Sequence, residues 1–169
     1  MRYLLLFFML LLGCKTKNPS NSFKEIVVKE MCPEDGKCYY EMLKNKNIDF
    51  SYNNLNEFYP TFSEGENIIF KFEYKRNEIS NTQDSSYREE ILIELNPYDL
   101  EFETTSFKGK KIVFARWCYC KGQTGYYKIK QGKLSVIKKG TNTYELKLNF
   151  KMDEVPQVIT EIKHIFTLE

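Results

Sequence analysis

The sequence predicts an all-β chain, an antiparallel β-sandwich or a partly closed β-barrel, on three observations. First, apolar and polar residues alternate. Phe70, Phe72 and Tyr74 interleave with Lys71, Glu73 and Lys75, and Tyr144, Leu146, Leu148, Phe150 and Met152 with Glu145, Lys147, Asn149 and Lys151. Period two is the pattern of half-buried strands. Second, turn-forming clusters separate such stretches, at Pro33-Glu-Asp-Gly36, Gln131-Gly132 and Lys139-Gly-Thr-Asn142, as expected of antiparallel neighbours. Third, the strands are numerous for the length, roughly eight to ten, and sheets of that size must bury a face and hide their edges.

In chain order, residues 24–32 and 38–43 read as strands around the first turn. Residues 45–65 mix Asn, Tyr, Phe and Pro60 without a sustained period, which predicts a long loop holding a short strand near 48–52. Strands follow around 70–74 and 88–95. Residues 111–120 are apolar on both faces, with Val113, Ala115, Trp117 and Tyr119 on one and Ile112, Phe114, Cys118 and Cys120 on the other; this predicts a central, covered strand. Residues 126–130, 133–138 and 144–152 complete the series. At the C-terminus Val155, Val158, Ile159, Ile162, Ile165 and Phe166 fit helical spacing, with Asp153 as a cap and Pro156 in the first turn. The β-branched content there points the other way, and a last strand is the expectation.

The chain has 169 residues, 28% charged and 42% hydrophobic, enough for one globular domain. Lys+Arg 25 against Asp+Glu 23 gives a net charge of +2, interspersed along the chain. No basic stripe marks nucleic acid as a partner.

The N-terminus, MRYLLLFFMLLLGCKTKNPSNS, places Arg2 before an apolar run and then Gly13-Cys14. The run is too short to span a bilayer, which takes about 20 residues, and suits a signal-peptide core. Leu11-Leu12-Gly13-Cys14 resembles the lipobox of bacterial lipoproteins. That resemblance implies a signal peptide over 1–13, lipidation of Cys14, a flexible linker over 14–22 and a single β-rich domain over 23–169. Two or three acyl chains hold a protein on a membrane durably where one is marginal. No Asp follows Cys14, which within that family implies the outer membrane. The aromatic-rich, Lys/Asn-rich style is similar to small lipoproteins of the Bacteroidetes, and the basic Lys15-Thr16-Lys17 implies a periplasm-facing position.

Five cysteines are an awkward number for an exported chain. If lipid occupies Cys14, then Cys32, Cys38, Cys118 and Cys120 remain, and two disulfides are the expected outcome outside the cytosol. Cys32 and Cys38 flank a turn and lie close enough to bridge. Cys118 and Cys120, two apart on an extended strand, would be nearly 7 Å apart at Cα and strained as a pair, so crosswise bridges between the two pairs are expected. A metal site would prefer C-x₂-C knuckles, and thiol exchange a C-x-x-C; both are retained as more distant readings of the four thiols.

His164, the only histidine, reads as an ordinary strand residue. Gly122-Gln-Thr-Gly125 lacks the Lys-Ser/Thr of a phosphate loop and reads as a turn. Glu89-Glu90, Lys110-Lys111 and Lys138-Lys139 read as solvated strand ends. Ser135 has only His164 as a conceivable base, so no catalytic residue, metal or cofactor is expected. Twelve Tyr and thirteen Phe exceed ordinary use, and exposed rings favour binding. The function expected is a non-catalytic, membrane-tethered domain that binds an envelope protein partner or serves as an accessory subunit. The alternative is a lipocalin-like carrier of a small apolar ligand.

Overall fold

A computed structural model describes residues 26–27 and 31–168. The predicted leader, Cys14 and the linker lie outside the described residues. Within them are ten strands and no helix: β1 (Ile26–Val27), β2 (Gly36–Tyr52), β3 (Phe58–Arg76), β4 (Tyr87–Leu95), β5 (Phe102–Thr104), β6 (Ile112–Cys118), β7 (Gly125–Lys128), β8 (Gln131–Gly140), β9 (Thr143–Lys151) and β10 (Glu161–Thr167). One sheet has the order β1-β2-β3-β4-β6-β7, the other β10-β9-β8-β5. All pairings are antiparallel. The sheets do not close into a barrel; the molecule is a β-sandwich.

The period-two stretches supply the filling between the sheets. Phe70, Ile91, Ile93 and Phe114 from the first sheet meet Leu134, Leu146, Leu148 and Phe150 from the second in one buried cluster. Rings span the gap, Phe70 to Phe166 and Phe114 to Phe150, each with centroids 5.9 Å apart. Burying each such side chain contributes about 1.5–3 kcal/mol.

Residues 45–65 are not one long loop: the short strand expected near 48–52 is the end of β2, only residues 53–57 turn, and β2 and β3 run as one long hairpin from Gly36↔Arg76 out to Tyr52↔Phe58. The register shifts between Lys44 and Lys46, where Asn45 alone (φ 58) faces residues 65–67. A bulge of this kind bends the ribbon and breaks the alternation, which is why no period was visible. Beyond the crease the hairpin folds across the outer face of the first sheet, and Ile48 lies on Ile69, Leu92 and Val113 as a second buried cluster. This flap, residues 46–52 and 58–64, is the cover predicted for β6: Val113 and Ala115 are buried on one face while Ile112 and Phe114 are buried on the other. The tip closes on itself, with Asn53 Oδ1 accepting from the N–H groups of Leu55 and Glu57.

Three smaller differences follow from backbone geometry. β6 ends at Cys118, not at residue 120, because the chain bends at Tyr119. Gln131-Gly132 lies inside β8 rather than in a turn; the chain passes between sheets at Ile129 and Lys130. Gly132 (φ 153) is required by proximity, since a Cβ there would sit 2.2 Å from the Asn149 carbonyl oxygen. Finally, the C-terminal segment does form a strand, β10, as expected. Its helical spacing arises because Val155 and Ile159, in the connector before it, are buried along with Ile162 and Phe166 within it.

Candidate functional site

The four cysteines form two local bridges, Cys32–Cys38 and Cys118–Cys120. The crosswise pairing does not occur, and the strand order explains why. Cys38 on β2 and Cys118 on β6 are separated by β3 and β4, hence by three inter-strand spacings or about 14 Å, twice the reach of a disulfide. The bend at Tyr119 brings the Cα atoms of Cys118 and Cys120 to 5.2 Å, where an extended strand would hold them too far apart. Peptide mapping of the unreduced protein should recover only the 32–38 and 118–120 links; a peptide joining one pair to the other would refute this connectivity. Among the described residues no group of three His, Cys, Asp or Glu side chains could hold a metal ion.

His164 sits on β10 with its ring stacked on Tyr40 at 4.2 Å. Tyr40 in turn donates to the Lys163 carbonyl oxygen at 3.2 Å. Burial lowers the His164 pKa below its ordinary value and raises that of Tyr40, offset partly by the Lys163 bond. A histidine whose folded pKa is depressed takes up its proton first in the unfolded chain. Stability should therefore fall as pH drops below about 6.5 and stop falling, as far as this group is concerned, below the folded pKa. His164→Gln should flatten that part of a pH series of urea denaturation curves; an unchanged slope between pH 7 and 5 would sink the assignment. Ser135 lies beside Val136, and Val136, Leu146 and His164 are successive cross-strand partners. Ser135 and His164 thus project from opposite faces of the second sheet.

Glu89 and Glu90 are not solvated. Glu89 is 0% exposed and points into the sandwich, where it accepts from the Tyr87 hydroxyl, the Val158 N–H at 2.6 Å and the Ile159 N–H at 2.8 Å. Burial, then the bond to Glu89, pushes the Tyr87 pKa up to about 12. Arg116 donates from Nε to Tyr87 and from Nη1 to the Gln123 backbone and side-chain oxygens. The buried carboxylate thereby fastens the connector before β10, and the arginine fastens the β6–β7 turn. Glu90, on the outer face, accepts from Trp117 Nε1 at 3.4 Å and faces Arg88. Lys111 is likewise engaged, by Glu94 at 3.2 Å; Lys138 and Lys139 are exposed near the end of β8 as expected, and Lys139 pairs with Glu145 at 3.3 Å.

A concave surface forms where the flap meets β6 and β7. It encloses about 740 Å³ between Asn53, Glu57, Phe58 and Tyr59 on one side and Trp117, Gly122, Thr124, Gly125, Tyr126 and Tyr127 on the other. Trp117 meets Tyr126 edge to face at 5.1 Å, and Arg88 lies over the Trp117 ring at 5.7 Å. The Gly122–Gly125 turn, with φ of +72 and +133 at its two glycines, does join β6 to β7, but it also walls this groove. Its rigidity comes from Thr124, which donates to the Cys118 carbonyl oxygen at 2.9 Å, and from the Arg116 bonds to Gln123. Aromatic surplus was the one sequence signal that could have located the groove. It could not say which rings line it, because Phe58 and Tyr59 reach Trp117 only through the crease in the hairpin.

Ring faces with a few polar side chains at the rim make a surface that grips the carbon face of a ligand and orients its hydroxyl or amide groups. Neither a protein-family model, nor a curated protein, nor a solved structure matches the chain, so the arrangement of these residues is the basis for any functional assignment.

Proposed function

We propose that this chain is a non-catalytic binding domain tethered to a bacterial outer membrane through lipid on Cys14, facing the periplasm, and that its groove takes a glycan segment of an envelope partner. The observation that carries the binding role is the ring-lined groove at the flap, open to solvent and framed by Tyr59, Trp117 and Tyr126. Sugar rings present apolar C–H faces that stack on aromatic side chains, while Asn53, Glu57 and Thr124 supply acceptors and donors for hydroxyl groups. A carrier of a small apolar ligand would hold it in a surface groove rather than between the sheets, where the side chains meet. The lipobox supports the tether.

Trp117 is the only tryptophan, so emission excited selectively at the indole, beyond tyrosine absorption, reads this groove alone. With the full-length protein in nonionic detergent, soluble glycan fragments of the cell wall should produce a saturable change in emission, weakened at least tenfold by Tyr59→Ala. A change produced by a fatty acid but by no glycan would overturn the glycan reading in favour of the carrier; silence toward both would remove the groove as a binding site. Metabolic labelling with a radioactive fatty acid should mark the wild-type protein and leave Cys14→Ala unlabelled.

A further inference from the structure

We propose that a second cleft, lined by lysines, binds a phosphate-bearing ligand. The cleft encloses about 560 Å³ between the segment 105–110, Phe50 of the flap, Ile112, and the connector Lys128-Ile129-Lys130. Four of its lining residues are lysines, Lys108, Lys110, Lys128 and Lys130, and none is a carboxylate. It shares no lining residue with the aromatic groove, and its occupancy does not depend on the glycan reading.

Three of those charges are uncompensated. Lys130 is paired to Glu154 at 2.6 Å, but Lys108, Lys110 and Lys128 have no acidic partner among the described residues. Lys110 Nζ lies 4.2 Å from the centre of the Phe102 ring. Lys128 Nζ lies over Phe50 at 4.7 Å and Phe58 at 5.1 Å. A ring face positions an ammonium group without neutralising it, so both cations are held in place and keep their charge for a ligand. Elsewhere on this protein exposed lysines are commonly matched: Lys133 by Glu103, Lys147 by Glu161, Lys163 by Glu145. A concave site lined by one sign of charge concentrates counter-ions of the other.

The backbone prepares the site as well. Lys110 N–H donates to the Phe107 carbonyl oxygen at 3.0 Å, closing a turn in which Gly109 has φ +76. That conformation favours glycine, and it places Lys108 and Lys110 on either side of the bend. Upstream, Thr104 Oγ1 donates to the Ser106 carbonyl oxygen and accepts from the Ser106 N–H, which fixes Thr105 and Ser106 at the cleft wall.

Lysine binds the oxygens of phosphate as a compact point charge with three donors, and several lysines around one cleft favour an anion of high charge density. A phosphate monoester carries about −1.5 to −2 charges near neutral pH and a phosphodiester headgroup a single one, and both are attracted by three ammonium groups that have no acidic partner among the described residues. The phosphate could belong to a soluble molecule or to a lipid headgroup, and the recognition chemistry is the same for both.

The test uses full-length protein in nonionic detergent, titrated calorimetrically with inorganic phosphate, pyrophosphate, dihexanoylphosphatidylglycerol and, as a zwitterionic control, dihexanoylphosphatidylcholine. Binding of pyrophosphate or phosphate identifies a soluble ligand. Binding of the phosphatidylglycerol alone identifies a headgroup. Either should weaken as salt is raised and fall at least tenfold in Lys108→Gln/Lys110→Gln/Lys128→Gln, while Lys121→Gln and Trp117→Phe leave it unchanged. Because the three lysines are exposed, the triple variant should keep the melting temperature of the ligand-free protein. No binding of any phosphate probe, equal binding of the zwitterionic control, or binding indifferent to the triple variant would overturn the proposal.

Discussion

Replacing Glu89 by alanine is expected to lower the unfolding free energy by roughly 3–5 kcal/mol, because it strips acceptors from buried donors. The carboxylate serves the Tyr87 hydroxyl and the N–H groups of Val158 and Ile159 at once. No second acceptor for those two amides appears in the hydrogen bonds of the connector. Glu89→Gln, which keeps one acceptor oxygen, should cost less. Typical domains have about 5–15 kcal/mol in total, so the alanine variant should approach the threshold of folding at 37 °C. Urea denaturation followed by circular dichroism measures the difference. A loss below about 1 kcal/mol would mean that water replaces the carboxylate and that the connector before β10 is not fastened by it.

Ile48→Ala should produce the second large effect, about 2–5 kcal/mol from lost burial and the cavity left behind. Its consequence should also be local. Ile48 is the flap residue fully buried against Ile69, Leu92 and Val113, and its N–H donates to Glu94. Freed from that seat, residues 46–52 and 58–64 should lose hydrogen-exchange protection while β8 and β9 keep theirs, since they belong to the opposite sheet. Trp117 emission should shift to the red as the groove opens. Uniform loss of protection across both sheets would show instead that the flap and the sandwich unfold as one unit.

These two residues mark where sequence reading stopped. The fold class was legible because alternation is a local property: β3 near Phe70, β4, β6 and β9 each show their buried face in their own letters. The cover over β6 could be demanded from Val113 and Ala115, yet its source could not be found, because the crease between Lys44 and Lys46 puts Ile48 in the outer cluster although it shares the sequence parity of Cys38 and Tyr40, which face the interior. Glu89 and Glu90 look alike as neighbouring acids, and only the pleat sends one into the sandwich and the other to Trp117. For the cysteines, local spacing suggested the wrong partners. Strand order, a non-local property, places β3 and β4 between the two pairs, and one bend at Tyr119 brings Cys118 and Cys120 within bridging distance at Cα. The groove and the lysine cleft were out of reach for the same reason: the groove joins residues 53–59 to 117–127, and the cleft joins residues 105–112 to 128–130 and to Phe50.

The crease in the β2–β3 ribbon also divides the molecule into parts that can vary separately. On its near side every change of length must respect pairing with β4 and the interior between the sheets. Past it, the tip from Asn53 to Glu57 is closed by its own hydrogen bonds and borders the groove through Asn53 and Glu57. Insertions or substitutions there would change the rim of the groove without asking the sandwich to readjust, which separates the part that sets the groove's shape from the part that holds the fold.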